Sequence, residues 1–327
     1  LRPARYLALA AALVVLAGCA GAWRLWSLYV GPGPSAVEIQ LVVPRASGSE
    51  ETAHLLAASG VIASPLAFGL GMRIDGLSSR MKAGEYMFVA GISARAAGEL
   101  LASGRTVQRR VTIAEGLTVA QVAGLLRAAE GMEGVIDPLP PEGSLLPETY
   151  FYSWGDARAR TVERAQRAMR EALAELWPRR APDVPFATVQ EAVVLASIVE
   201  RETAHADERA RVAGVFVNRL RQRMRLQADP TVAYGIDPSG PLGRPLSRAD
   251  LETRHAWNTY TNEGLPPTPI ANPGRASIEA TLNPQKTDEL YFVADGDGRH
   301  VFARTLAEHN RNVARLREIE RARATRN

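Results

Sequence analysis

The stretch "ASIVERETAHADERARVAGVFVNRLRQRMRLQADPT", Ala196–Thr231, decides how this chain is read. It sets four carboxylates within nine residues: Glu200, Glu202, Asp207 and Glu208. A charge run of this kind is ordinarily a solvated helix face. Helical phase separates the four. When "TVQEAVVLASIVERETA" is projected at about 100° per residue, Leu195, Ile198 and Val199 form its core stripe. Glu202 lies seven residues past Leu195 and four past Ile198, on that stripe. Glu200 points about 160° away from Glu202 and reads as solvated. Asp207 and Glu208 read as the acidic first turn of the next helix, where its dipole favours them.

An uncompensated carboxylate on an apolar face is costly. Burial raises its pKa and favours the neutral acid, the form a general acid needs near neutral pH. Two readings of Glu202 stay open on phase alone: a general acid, or a salt-bridged glutamate at a helix end with arginines at hand. A third is metal, because Glu202-Thr-Ala-His205 is an E-x-x-H of the di-iron-bundle type. Such sites need a second copy and further helical glutamates, which the sequence lacks. The remaining histidines, His54, His255, His300 and His309, form no pair at ligand spacing. Neither a metal nor another cofactor is therefore expected.

Outward from this segment, the chain divides by its breakers. Residues 6–23 are an uncharged run preceded by Arg2 and Arg5 and followed by Trp23, Trp26 and Tyr29. Eighteen helical residues nearly span a hydrocarbon core of about 30 Å. The cationic flank places the N-terminus in the cytoplasm, and the aromatics read as an interfacial belt on the far side. Everything after about Gly31 would then be exported, on an inner-membrane tether. The alternative is a lipoprotein signal, with "LAGC" as a lipobox and Cys19 acylated. Leu1 stands where an initiator Met is usual, which suggests an alternative start codon or trimming. Cys19 is the single cysteine, so the exported part holds no disulfide. All cations except Lys82 and Lys286 are arginine, and the net charge of +4 forms no basic stripe with aromatics, which argues against a nucleic-acid partner.

After "GPGPS", "VEIQLVV" (Val37–Val43) reads as a strand. A helical motif then recurs from Ser47, Gly91 and Gly116, with Ser49, Ser93 and Thr118 as N-caps, and with "GEYMFV" and "QRRVTI" as short strands between. The strand, two short helices and closing strand of residues 36–131 resemble a LysM-like module. A boundary is placed in the Gly/Pro-rich 132–147, followed by an aromatic loop, "LLPETYFYSWG". Helices are expected from about Asp156 to Trp177, Thr188 to Glu202 and Asp207 to Arg223. Past Asp229 helical signals are few until the strand "LYFVAD" and a final helix from about Thr305. The expected organisation is α+β: an anchor over 1–30, the small module, and a mainly helical domain over 145–320 with long loops, lysozyme-like around the acid helix.

Together, "LASIVERET", "VAGVFVNRL", "MRLQADPTVAYG", "LSRADLET", "NTYTNEGLPPTPIANPG" and "LYFVADGDGRHVFARTLAEHN" resemble, in order and spacing, the endolytic murein transglycosylase (YceG-like) family from about Val37 to Leu316. The resemblance implies an anchored enzyme that cuts nascent peptidoglycan strands between N-acetylmuramic acid and N-acetylglucosamine, leaves a 1,6-anhydro end and terminates elongation. It implies that the catalytic acid is the second Glu of E-x-E-T, Glu202. It also makes peptidoglycan synthases candidate partners. Gln227, Asp229, Asn258 and Tyr260, with Thr259 in "NTY", are candidate sugar contacts, because amides, hydroxyls and ring faces suit a concave sugar site. Asp229 before Pro230 reads equally as a turn former, and Asn258 and Tyr260 as loop scaffold. "GLPPTPIANPG" is expected to fix backbone shape. This chain departs from the family's usual form at Thr268, where glycine is common, and at "HAW" before Asn258, where "SPY" is commoner. The rival functions are a hydrolytic muramidase and a non-catalytic glycan-binding scaffold.

Overall fold

The computed structural model describes residues 2–324, with side chains from residue 5 onward, so Leu1 and the Arg2 side chain of the cationic flank lie outside the described residues. Its chain forms two compact units, one running to Arg109 and including Phe151–Asp156, the other made of Arg110–Tyr150 and the chain from Ala157.

The first unit starts with α1 (Arg2–Val30), apolar and long enough to cross a membrane over Arg5–Val30. Strand β1 (Ile39–Val43), helices α2 (Ser49–Ala58) and α3 (Pro65–Ile74), and strand β2 (Gly84–Phe88) follow. The strands pair antiparallel, Ile39 opposite Phe88 and Val43 opposite Gly84. Helix α4 (Ala94–Ser103) closes the unit. Local chemistry accounts for the ends. Ser64 and Ser93 cap α3 and α4 through the N–H groups of Ala67 and Ala96, and Gly104 ends α4 at φ 71°. Ser49 is not the cap of α2: Gly48 holds that position and Ser49 is already helical. Tyr29, Leu56, Phe68, Met72, Tyr86, Phe88 and Leu101 build the core. Tyr29 was expected in an interfacial belt, but it is 1% exposed and its hydroxyl donates to Asp75 at 2.8 Å. The last turn of this apolar helix is thus part of the core. Buried Glu85 receives Arg109 at 2.6 Å, and this bond holds its carboxyl below the usual range against the opposing effect of burial.

Strand β3 (Arg109–Thr112) pairs with β4 (Thr149–Tyr152). The expected aromatic loop is therefore partly a strand. Helix α5 (Val119–Ala128) carries a Thr118/Gln121 capping box. It lies in the second unit together with the Gly/Pro-rich 132–147, so the division falls at Arg109 rather than at that stretch. One tie that holds these segments together is Asn272, which is fully buried. Its Nδ2 donates to the Leu117 carbonyl at 2.8 Å, and its Oδ1 accepts the Leu145 N–H at 3.0 Å.

The rest of the second unit is α6 (Arg158–Leu176), α7 (Val189–Glu202), α8 (Arg209–Arg221), α9 (Asp229–Ile236), α10 (Arg248–Glu252), α11 (Arg275–Leu282), the hairpin β5 (Tyr291–Ala294)–β6 (His300–Ala303), and α12 (Leu306–Ala324). The three helices past Asp229 were not legible as such. They are five to eight residues long, too short to show a period. Helix α7 packs on α8, α9 and α11. Ala192 to Val199 are buried without interruption, so α7 is a central helix with no solvent face along that stretch. Its start is fixed by a Thr188/Glu191 capping box. Inside, the Ser197 hydroxyl donates to the Val194 carbonyl and accepts the Ile270 N–H.

Asn272→Ala strands the buried Leu145 N–H and removes one of the two bonds to the Leu117 carbonyl, which keeps the backbone N–H of residue 272. It should lower the stability of the second unit by about 2 kcal/mol or more, read from urea unfolding followed by tryptophan fluorescence.

Candidate active site

Helix α7 ends at Glu202 because Thr203 is extended, at φ −135° and ψ 131°. Glu202 is only partly buried by surface, yet protein crowds its carboxyl closely enough for burial to push its pKa up to about 8. Burial is the main cause. The negative charge of Asp229 adds to it, and the Arg219 guanidinium opposes both. Among the described residues, no hydrogen bond to the Glu202 carboxyl contributes. It is an unpartnered acid that is still mostly protonated at neutral pH.

Glu200 departs from expectation. Its side chain is only 5% exposed, and it accepts the Gly274 N–H at 2.8 Å and lies 3.6 Å from Arg209. The wheel placed it opposite Glu202 correctly. Opposite on this helix means toward the start of α11 rather than toward water, because α11 packs on that side of α7. What separates the two glutamates is therefore partnership: Glu200 is compensated and Glu202 is not. The other two acids also differ from the expected first-turn role, since α8 starts only at Arg209. Asp207 is exposed and pairs with Arg299 at 2.8 Å. Glu208 is buried, with one oxygen 2.8 Å from the His300 ring and the other accepting the His300 N–H. Burial would raise its pKa, but these bonds outweigh it and hold the carboxyl low.

Opposite the acid, the segment 219–231 is tied to 258–260. Asp229 opens α9 and stays exposed, and the Tyr260 hydroxyl donates to its carboxylate at 2.5 Å. Burial and that bond raise the Tyr260 pKa. Gln227 is exposed and adopts φ +51°, a left-handed conformation unusual for a side-chain-bearing residue. Its N–H bonds the Thr259 carbonyl at 3.1 Å, and its side-chain oxygen accepts from Arg219 at 3.4 Å. Thr259 is buried and bonds the Ala228 N–H and the Thr231 hydroxyl. Asn258 was counted among the sugar contacts, but here it is fully buried. Its amide nitrogen donates to the carbonyls of Leu251 and Thr253, and its oxygen accepts the Tyr260 N–H. Its hydrogen-bonding capacity is spent on holding Tyr260 in place. Gln227, Asp229 and Tyr260 remain on the open side.

Arg219 was missed. It is 7% exposed and donates to the carbonyls of Leu290, Arg225 and Leu226, fixing the loop that carries Gln227 and Asp229. The wheel applied to α8 finds it: Arg219 follows Val212 by seven residues, Val215 by four and Phe216 by three, on the buried stripe. The two departures from the usual family form touch each other, since the Trp257 indole N–H donates to the Thr268 hydroxyl at 2.9 Å. Trp257 in turn packs edge-on to Tyr234. Among the described residues no group of three His, Cys, Asp or Glu is arranged to hold a metal.

The profile of the YceG-like family matches residues 41–315. The endolytic murein transglycosylase of Bacillus subtilis is 31% identical over 308 residues, covering 85% of this chain and 84% of that protein. That of Streptococcus pneumoniae is 34% identical over 180 residues, covering 53% of this chain and 32% of its own length. A crystal structure of a YceG-like protein from Listeria monocytogenes is 28% identical, with a TM-score of 0.50 over 85% of this chain and 99% of that one.

The raised pKa of Glu202 has a thermodynamic signature. Below the unfolded pKa, near 4.5, both states are protonated and burial costs nothing. As pH rises toward 8 the unfolded chain releases a proton that the folded chain keeps, so stability falls through that window. Glu202→Gln should therefore gain stability over the unsubstituted chain between pH 5 and 8, by an amount on the order of 1 kcal/mol or more given residual solvent contact. Paired thermal melts across pH would show it, and a constant difference would contradict the assigned environment.

Proposed function

The chain belongs to the YceG-like family, and on that premise we propose that it is an endolytic lytic transglycosylase of peptidoglycan with Glu202 as its single catalytic acid. The observation that carries this reading is the state of Glu202: a carboxyl at the end of a buried helix, unpartnered, and neutral near pH 7. The substrate is a glycan strand cut between N-acetylmuramic acid and N-acetylglucosamine. Glu202 protonates the departing glycosidic oxygen as the C1–O bond breaks. The C6 hydroxyl of the same muramoyl residue attacks C1, and its proton passes to the Glu202 carboxylate. The bond made is C1–O6, a 1,6-anhydro end results, and the acid is restored without water. A strand so ended carries no free reducing terminus, which terminates its elongation.

This chemistry needs one carboxyl where an ordinary glycosidase needs two. Asp229 is a second carboxylate felt by Glu202, and a hydrolytic muramidase would use it to activate water. Its bond from Tyr260 supports a different role: an anion that keeps Glu202 protonated and, with Gln227 and Tyr260, lines the sugar path. The strand–helix–helix–strand order of the first unit supports a LysM-like glycan-holding module, and the enclosure of α7 by its neighbours supports a lysozyme-like setting for the acid. Helix α1 is read as a single-pass anchor in the cytoplasmic membrane, with the chain beyond it outside the cytoplasm. Peptidoglycan synthases, which supply the nascent strand, are the partner class this placement favours.

Glu202→Gln should fold and lose cleavage by at least about 10²-fold. Mass spectrometry of digested sacculi decides the chemistry, because anhydro ends are one water lighter than reducing ends. Reducing ends from the unsubstituted enzyme would overturn the transglycosylase reading, and retained cleavage in Glu202→Gln would overturn the assignment of the acid. Asp229→Asn removes an anion that holds the Glu202 pKa up, so the alkaline limb of the pH–rate profile, near 8, should move to lower pH.

A further inference from the structure

The uncharged run of α1 ends at Trp23, and Arg24 is the first charge after Arg5. From Tyr6, about 20 helical residues cover a hydrocarbon core of about 30 Å, which brings Ala22, Leu25 and Trp26 to its far boundary. The helix does not stop there. It continues to Val30 and enters the core of the first unit through Tyr29. A Cβ at Gly71 would overlap the Tyr29 ring, so the bare backbone of α3 is what admits the anchor helix so closely. Helix α3 is therefore held against α1 at the level where α1 leaves the membrane.

The exposed face of α3 is apolar. Leu66, Leu70 and Ile74 stand four residues apart on one stripe and are 61%, 38% and 72% exposed. No acidic residue lies in α3, and its single charge is Arg73. A groove of about 170 Å³ is lined by Ala22, Leu25, Trp26 and Tyr29 of α1 and by Ala67, Leu70, Gly71 and Ile74 of α3, so the stripe is continuous with the boundary segment of the anchor. An apolar stripe of this kind, ending in a cation, is what lies in the headgroup–acyl boundary of a bilayer.

We propose that Leu66, Leu70 and Ile74 of α3 dip into the bilayer surface beside α1, so that the first unit lies on the membrane rather than being carried clear of it. The inference rests on the anchor part of the proposed function and not on the reaction. Its consequence is a fixed height: the module is seated at the lipid by two adjoining helices and does not swing on a single one.

The test uses the full chain in phosphatidylcholine/phosphatidylglycerol vesicles with an environment-sensitive fluorophore on one cysteine at a time. The sites are native Cys19 and, in a Cys19→Ala background, Ile74→Cys and Leu66→Cys. Both new positions are exposed, so labelling leaves the core intact. Quenching of Ile74→Cys or Leu66→Cys several-fold more by shallow nitroxide lipids than by aqueous iodide supports the proposal. Iodide quenching at both positions with no response to nitroxide, while Cys19 is quenched by lipid, overturns it and leaves the anchor standing. A Cys19 probe indifferent to nitroxide lipids overturns the anchor and this inference together.

Discussion

Burial of α7 on every side along Ala192–Val199 is the constraint on which the second unit depends. A helix so enclosed must satisfy or pay for every polar group it carries inside. Ser197 is satisfied by its own helix and by Ile270, and Glu200 by the start of α11 and by Arg209. Glu202, at the last turn, is left without a partner, and the cost of ionising it appears as a carboxyl neutral near pH 7. An acid of that kind can give a proton and take one back.

The groups around Glu202 follow a matching division of labour. Arg219 and Asn258 are buried and make bonds to backbone, so their role is to position. Arg219 fixes the loop that brings Asp229 near the acid, and Asn258 fixes the turn that brings Tyr260 to Asp229. The left-handed backbone at Gln227 is held by bonds at both its N–H and its side chain, which is how a strained residue persists beside a site. Only Gln227, Asp229 and Tyr260 keep open sides. Thr268 and Trp257, the two departures from the usual family form, are compensated within this chain by bonding one another. The shape of that wall is thus this chain's own.

The first unit shows a similar economy at its join to the long apolar helix α1. Tyr29 is both the end of the apolar helix and a core residue, through its ring on Gly71 and its hydroxyl on Asp75. A belt residue was the natural reading, because an aromatic after a long apolar run commonly sits at a membrane interface. Nothing in the local sequence tells a ring in lipid from a ring on another helix thirty or more residues away.

Much was determined by the chain alone. The apolar run, the caps at Ser93 and Thr118, the helix running to Glu202 and the opposite facing of Glu200 and Glu202 all rest on local period and local hydrogen bonding, which act over a few residues. Arg219 on α8 lies on a buried stripe by the same helical phase. Tertiary structure alone decided the rest. Helical phase says which way a side chain points, but not what waits there: Glu200 points away from Glu202 and meets the N–H of Gly274, seventy-four residues on. Asn258 read as either a sugar contact or loop scaffold, and although its partners Leu251 and Thr253 are only seven and five residues away, it is the folded turn after α10 that brings their carbonyls onto its amide. α5 is tied into the second unit by Asn272, more than a hundred and forty residues away, and by Arg158, which donates to the Leu126 and Arg127 carbonyls. Partners distant in sequence decide whether a carboxylate such as Glu200 or Glu208 is compensated, and at this site compensation separates the acid proposed to react from the acids that hold the fold.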